Sequence, residues 1–455
     1  MLKRKAYDKL TQWKAQGSKK AICIIGARQT GKTTLVRKFA AENYEQFAEI
    51  NFITDEGAAE IFSGSLDADT LVTNLTAYLR RPLERGKTLV FLDEIQNCPN
   101  ARTAIKFLVE DGRFDYVESG SMLGVRYKEV RSYPVGFEEI YRMYPMDFEE
   151  YLWANGVQPE TVEYLGRCFE EKAEVPQAVH ETMKKLFYSY IVVGGMPQVV
   201  QSYVDTHDIG LVIENQRDIL EQYRLDIAQY AETDEKIKIR AVFDGIPSQL
   251  NDKNRRFYVN SLDKHARLPR YANCFKWLED AGVALPCCNV AEPQPPLQLN
   301  EKHSLFKLFM NDTGLLCAAC MDDIQFDILN GRVEINMGSI LENAVAQQLK
   351  AAGFALHYYD SAKLGEVDFA VQNGTRVDLI EVKSGGDYKR HKALDNILAV
   401  KGWNFGGKYV LCRDNVSSDG SVTYLPWYMY MFLRPHGVLK DFTYKVDISA
   451  LNMRT

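Results

Sequence analysis

The sequence predicts an α/β protein: a mostly parallel sheet covered by helices on both faces, then a helical middle, then a second, mixed α/β unit. Three observations predict it. An apolar run from Ala21 to Ile25 breaks into a glycine-bounded loop and continues as a helix; a second buried-strand run, Thr88 to Leu92, ends in adjacent carboxylates; and the short strands Gly365–Phe369 and Ile380–Lys383 flank an Asn-Gly turn.

The first loop comprises Gly26, Ala27, Arg28, Gln29, Thr30, Gly31, Lys32, Thr33 and Thr34. Its spacing is that of a phosphate-binding P-loop, in which glycines let the backbone turn tightly and aim N–H groups at phosphate oxygens. Lys32 supplies positive charge for the β and γ phosphates, and the Thr33 hydroxyl is offered to Mg²⁺. The second run supplies the other half of the site. Asp93 is placed to hold Mg²⁺ through its water shell, and Glu94 to polarise a water against the γ phosphate.

A third strand through Phe114, Tyr116 and Val117 closes at Ser119-Gly120-Ser121. A polar strand end beside the carboxylate strand can orient the attacking water, through Ser119 or Ser121; a plain Gly-Ser turn fits the same residues. Arg126 and Arg131 follow, and either could stabilise transition-state charge, from this chain or from a neighbouring copy in a homo-oligomer. No Asn-Lys-x-Asp guanine-reading motif occurs, so ATP is expected rather than GTP.

With 455 residues, 46% hydrophobic and 25% charged, the chain can hold two to four domains with real cores. No apolar run reaches the roughly eighteen residues that span a bilayer, and the opening MLKRKAYDKLTQWKAQG lacks a signal-peptide core, so no membrane partner and a cytoplasmic location are expected. The nine cysteines sit mostly among apolar neighbours, as buried thiols would. Cys317 and Cys320 have metal-like spacing, but the earlier doublet Cys287-Cys288 is not a second well-spaced pair, and packing is the preferred reading. A formal net charge of −6 gives no bulk attraction for nucleic acid. The local exception is Asn251 to Lys276, where Lys253, Arg255, Arg256, Lys264, Arg267, Arg270 and Lys276 face only Asp252 and Asp263.

Four domains are expected. Residues 1–135 alternate strand and helix. Residues 136–235 turn to helical periodicity, carried by Phe148, Tyr151 and Leu152, by Leu186, Phe187, Tyr190 and Ile191, and by Ile219, Leu220 and Tyr223. Gly194-Gly195-Met196-Pro197 reads there as a helix break. Residues 236–320 read as helix, Pro247 turn, short helix, a helix from Pro269 to Ala281 and two short apolar segments. This pattern resembles a winged helix, with Arg267 and Arg270 placed for DNA contact at the start of its third helix. Residues 335–435 are mixed α/β. In extended strands alternate residues share a face, so Asp368 stands opposite Val367 and Phe369, while Glu381 and Lys383 stand together. A hairpin through Gln372-Asn373-Gly374 would pair the two strands. Asp368 and Glu381 could then coordinate Mg²⁺, with Glu342 from the helix Gly338 to Ala352 as a further ligand and Lys383 positioning the water, the layout of phosphodiester cleavage. A strand-edge ion pair between Glu381 and Lys383 is the alternative.

Taken together, GARQTGKTTL, TLVFLDEIQ, SYPVG, MYPMDFEEYLWANG, YIVVGGMPQVV, FKLFMNDTGLL, GSILENAVAQQL, GEVDF and IEVKSG resemble a bacterial and archaeal group of AAA-type ATPases with a C-terminal domain of unknown function. The resemblance runs over nearly the whole chain. It implies an AAA-type ATPase core, a winged-helix region and a restriction-endonuclease-like C-terminal domain whose Asp…Glu-x-Lys motif maps onto Asp368, Glu381 and Lys383, with the helix acid at Glu342. Gly136 is followed by Phe137 where the group often has a basic residue, which leaves the arginine finger unassigned. Two functions are expected: an ATP hydrolase that couples its cycle to a nuclease-like domain acting on nucleic acid, or a nucleotide-switched signalling or scaffolding ATPase whose nuclease-like domain is an interaction module.

Overall fold

The computed structural model describes residues 2–17, 20–55, 57–120, 132–231, 235–252, 255–263, 266–321, 324–331, 337–437 and 443–447. An opening helix, α1 (Lys5–Ala15), precedes a sheet of β1 (Ala21–Ile25), β2 (Gln46–Asn51), β3 (Thr88–Asp93), β4 (Asp115–Gly120) and β5 (Glu138–Arg142). All pairings are parallel, in the order β2-β3-β4-β1-β5. Helices α2 (Lys32–Asn43), α3 (Ala68–Leu79) and α4 (Pro99–Asp111) make the crossovers. The central strand β3 is apolar up to its terminal carboxylate because both of its faces are covered: Leu89 and Phe91 pack with α1 and α2, while Val90 and Leu92 pack with α3 and α4. The parallel sheet with helices on both faces is the one the sequence predicts. Its order puts β4 between the P-loop strand and the carboxylate strand, so three strand ends meet at one edge.

Helices α5 (Phe148–Ala154), α6 (Pro159–Glu171), α7 (Gln177–Val193), α8 (Pro197–Thr206) and α9 (Ile209–Tyr230) follow. Next comes α10 (Lys236–Asn251), with Pro247 inside it. The expected turn at Pro247 is absent, because the helix buries Ile239, Val242, Phe243, Ile246 and Leu250 along one stripe, and that burial offsets the lost backbone hydrogen bond. Residues Leu268–Arg270 form one short turn before α11 (Ala272–Asp280), so the helix expected from Pro269 begins three residues later.

An antiparallel pair, β6 (Ala284–Val290) and β7 (Glu301–Met310), is followed by α12 (Thr313–Cys320), α13 (Ile324–Leu329) and α14 (Gly338–Ala351). The remaining elements are β8 (His357–Ser361), β9 (Gly365–Val367), β10 (Phe369–Asn373), β11 (Arg376–Val382), α15 (Lys392–Leu398), β12 (Phe405–Cys412), β13 (Ser417–Ser418) and β14 (Thr423–Pro426). They build two sheets, β7-β6-β8-β9 and β10-β11-β12-β14-β13. The first joins the two halves of this region, since β6 pairs in parallel with β8. One core runs from α5 to Leu433, with α14 buried along nearly its entire length inside it. No helix among the described residues is long and apolar enough to cross a membrane.

Candidate functional site

The P-loop opens where β1 ends. Gly26 lies so close to the Met143 carbonyl that a Cβ would collide with it, and Met143 N–H donates to the Ile25 carbonyl at 2.7 Å. Only glycine permits that approach. Gly31, at φ 90°, begins α2, and Lys32 is buried in its first turn. Lys32 Nζ donates to the carbonyls of Gly26 at 3.0 Å and Ala27 at 2.8 Å, and Thr30 Oγ1 donates to Ala27 at 2.9 Å. Burial lowers the Lys32 ammonium to about 8, with Glu94 and Asp93 pulling the other way. Arg4 braces the loop from the N-terminal side, donating Nη1 to the Thr30 carbonyl at 2.8 Å while its Nε meets Glu150 at 3.1 Å.

Asp93, at the tip of β3, is the meeting point of the strand ends. Thr33 Oγ1 donates to Oδ2 at 2.9 Å, Asn51 Nδ2 to the same oxygen at 3.1 Å, and Ser119 Oγ to Oδ1. The Ser119 contact arises because β3 and β4 are neighbours. Glu94 follows in the left-handed region at φ 55°, half-buried, and accepts a hydrogen bond from Gln96 Nε2. The Gln96 amide, two residues on, holds the Glu94 carboxylate.

The Arg28 and Gln29 side chains turn away from the loop to α9. Arg28 pairs with Asp226 at 2.9 Å, Gln29 donates to Gln222, and the Tyr223 hydroxyl donates to the Arg28 carbonyl at 3.3 Å. Burial pushes the Asp226 carboxyl up against the pull of Arg28, and nearby Glu94 adds to the push. Thr34 is exposed beside a cavity of about 340 Å³ lined also by Leu2, Arg4, Gln29, Gly31, Leu35, Pro197, Gln198 and Gln201.

In the C-terminal region β10 and β11 form an antiparallel hairpin with Phe369 opposite Ile380 and Gly374 in the turn. Asp368 Oδ2 accepts from the Val382 N–H at 2.8 Å, and Lys383 Nζ donates to Glu381 Oε1 at 2.6 Å. Glu342 on α14 is wholly buried. Two cations from the preceding region enter this group. Lys307 on β7 lies 3.2 Å from Glu342, 2.6 Å from Glu366 and 4.0 Å from Asp368; Arg255 pairs with Glu342 and lies 3.8 Å from Asp368. Glu381 is pushed up to about 7 by burial and by Asp368, against Lys383 and Lys307. Glu342, Asp368 and Glu381 share a neighbourhood but not one coordination sphere: among the described residues, no three of their oxygens lie within 4.8 Å of one another. As folded, this arrangement does not fit a bound metal ion.

Cys317 is buried and donates to the Ile191 carbonyl at 3.3 Å, and among the described residues it forms no ligand cluster with Cys320, Cys287 or Cys288. In the basic stretch, Arg255, Arg256 and Lys276 are engaged by acids, while Arg267 and Arg270 are exposed. Ser121, Arg126, Arg131, Lys253 and Lys264 lie outside the described residues. Sequence reasoning missed Asn51, Gln96, Asp226 and Lys307. Asn51 carried the same signal as Ser119, a polar residue closing an apolar strand, and Lys307 stood alone among apolar residues in FKLFM.

Residues 18–152 match the family model described as AAA domain, residues 184–325 the model Domain of unknown function (DUF8612), and residues 337–430 the model Domain of unknown function (DUF4143). No curated protein matches the chain. Similar solved structures include the Walker-type ATPase PABY2304 of Pyrococcus abyssi, 14% identical, covering 70% of this chain and 96% of that one with a TM-score of 0.39. The Aeropyrum pernix ORC1 protein in complex with DNA is 13% identical over 71% of this chain and 93% of that one, TM-score 0.28. The Thermotoga maritima RuvB Holliday junction branch migration motor is 16% identical over 62% and 89%, TM-score 0.28. The first matched segment takes in the parallel sheet and the glycine loop, so this part of the chain is similar to AAA domains in sequence.

Proposed function

We propose that the chain binds and hydrolyses ATP at the edge where β1, β3 and β4 end, and uses the cycle to control its C-terminal hairpin site on nucleic acid. The observation that carries the ATPase reading is the convergence of Thr33, Asn51 and Ser119 on Asp93, directly beside Lys32. The Thr33 hydroxyl and the Asp93 carboxylate are hard oxygen ligands that fit magnesium and would hold it; when bound, the ion supplies positive charge to the β and γ phosphate oxygens. Lys32 adds its own charge once its present carbonyl partners are exchanged for phosphate. Glu94 takes the proton of the attacking water, held in direction by Gln96, while Ser119 orients that water through Asp93. The cavity beside Thr34, apolar at Leu2, Leu35 and Pro197 and edged by Arg4 and the amides of Gln29, Gln198 and Gln201, suits a purine base.

Turnover measured on purified protein tests this reading. Lys32→Ala should weaken nucleotide binding by about a hundredfold or more, and Glu94→Gln should bind normally while losing about a hundredfold or more in kcat. Equal turnover in wild type and Glu94→Gln would reject the assignment of the water-activating residue. Incubation with plasmid, single-stranded DNA and RNA, with Mg²⁺ or Mn²⁺ and with and without ATP, tests the nuclease half, which falls if nothing is cut. A second reading, a nucleotide-switched scaffold with a non-catalytic hairpin, is favoured by one observation: Lys307 and Arg255 already sit among the hairpin acids.

A further inference from the structure

The sheet β7-β6-β8-β9 gathers a second set of ligand-type side chains. Cys288 on β6 pairs with His357 on β8, and Val290 on β6 pairs with Glu301 on β7. Paired residues share a face, as do residues two apart in a strand, so Cys288, Glu301 and His357 stand on one side. Cys287, paired with Lys307, stands on the other, which keeps this set apart from the hairpin acids that Lys307 reaches. Counting on from Glu301, a regular ladder would set His303 opposite Cys288; instead the register jumps to Phe306, and His303, Ser304 and Leu305 are the extra residues of a bulge. Bulges re-aim side chains, and here one ligand atom each of Cys288, Glu301 and His303 lies within 4.8 Å of the others.

The donor set selects its ion. A thiolate, an imidazole and a carboxylate form a mixed sulfur, nitrogen and oxygen set that suits zinc, whereas magnesium takes oxygen ligands and is poorly held by a thiolate. Two negative charges, Cys288 as thiolate and Glu301, match a divalent ion. Glu279 on α11 and Lys350 on α14 act on Cys288 with opposite sign and leave that balance unchanged. The His303 side chain is 80% exposed and that of Glu301 19%, so the set opens to solvent and leaves a fourth tetrahedral position for water. His357, buried, supports it from behind. Its Nδ1 has no partner among the described residues, which places the ring proton on Nε2, donated to Glu301 Oε1 at 2.8 Å, while Glu301 Oε2 lies 3.3 Å from His303 Nδ1. We propose that Cys288, Glu301 and His303 bind one zinc ion, with His357 as the positioning residue for Glu301. Bound there, the ion fastens the β7 bulge to β6, beside the pairing of β6 with β8 that unites the two halves of this region.

Titration of the full chain with Co²⁺, after stripping with a chelator, tests the proposal, because a thiolate ligand to cobalt adds a charge-transfer band in the near ultraviolet. One equivalent of Co²⁺ should raise the band, Zn²⁺ should abolish it, and excess Mg²⁺, the ion suited to the P-loop oxygens, should leave it unchanged. Cys288→Ser should remove the band. His303→Ala, a change at an exposed side chain, should weaken Co²⁺ binding by more than about a hundredfold, the upper end of what losing a hydrogen bond behind a ligand costs. Cys320→Ser, at an exposed thiol outside the set, should do neither. His357→Phe should weaken binding about tenfold to a hundredfold with the band kept, and His357→Gln, which still offers an N–H, should recover part of the loss. Thermal melts followed by circular dichroism identify any variant that does not fold. A folded chain without the band, a band that survives Cys288→Ser, or unchanged binding in His303→Ala would overturn the site and leave Glu301 and His303 as an ordinary ion pair. Equal affinity in wild type and folded His357→Phe would overturn the positioning role.

Discussion

Asp93 accepts from Thr33, Asn51 and Ser119, and these three donors come from a helix and two strands far apart in the chain. The carboxylate needs them because it is almost fully buried, and a buried charge without partners is costly. Lys32 faces the same problem from the other side. Burial has lowered its ammonium to about 8, and the arrival of triphosphate oxygens should restore an ordinary lysine. Near pH 8.5 the nucleotide-free protein holds Lys32 largely neutral and the bound form holds it charged, so binding should take up part of one proton. Calorimetric binding heats at pH 8.5, where the terminal phosphate is fully ionised, should differ between buffers of different ionisation enthalpy for the wild-type chain and agree for Lys32→Arg, whose guanidinium stays charged; equal heats for the wild type would show that Lys32 does not change its protonation. The motif residues Lys32, Asp93 and Glu94 were legible because their spacing is set by local backbone geometry. Gln96 and Asn51 were not, because their importance lies in which strand end each happens to meet.

Among the elements, the break between α7 and α8 shows how a sequence pattern acquires its meaning from packing. Gly194-Gly195 before Met196-Pro197 reads as a helix break, and α7 does end at Val193 with α8 starting at Pro197. The reason for two glycines is tertiary. A Cβ on Gly195 would collide with Met146 backbone, one on Gly194 with Asp312, and the Gly195 N–H donates to Asp312 Oδ2 at 2.6 Å. Asp312 also caps α12 through the Leu315 N–H at 2.9 Å. Gly195→Ala should therefore lower stability by about 3 kcal/mol or more, read as a shift in the urea midpoint; a change under about 1 kcal/mol would mean that the break is loosely packed. The hairpin β10–β11 was legible in the same way as the P-loop, through alternation and an Asn-Gly turn. Helix α10 was not, because Pro247 looks like a stop until the apolar stripe it belongs to is seen buried.

At the scale of the molecule, the P-loop and the hairpin cluster are linked by buried polar contacts rather than by a flexible tether. Helix α9 holds Arg28 through Asp226 and holds the end of α7 through Gln216, which donates to the Val192 and Val193 carbonyls at 2.8 and 2.9 Å. Helix α14 receives the Met310 and Thr313 N–H groups on Asn343 and Gln347, one and five residues after Glu342. Because β6 pairs with β8, the region before residue 320 and the region after 335 share a sheet and a core. A chain ended at residue 335 should then expose the inner face of β6 and β7 and aggregate, whereas the full chain stays in solution; light scattering distinguishes the two, and a well-behaved truncated protein would show that the two regions fold independently. The sequence by itself determined the parallel sheet, the phosphate loop, the paired carboxylates and the C-terminal hairpin, since each is a local matter of period, turn chemistry and strand-end spacing. Only the tertiary structure decided that Lys307 and Arg255 enter the hairpin acids and that α9 grips the P-loop, because long-range pairing is chosen by which buried charges and apolar faces fit one another, here across separations from Lys307–Glu342 to Arg28–Asp226.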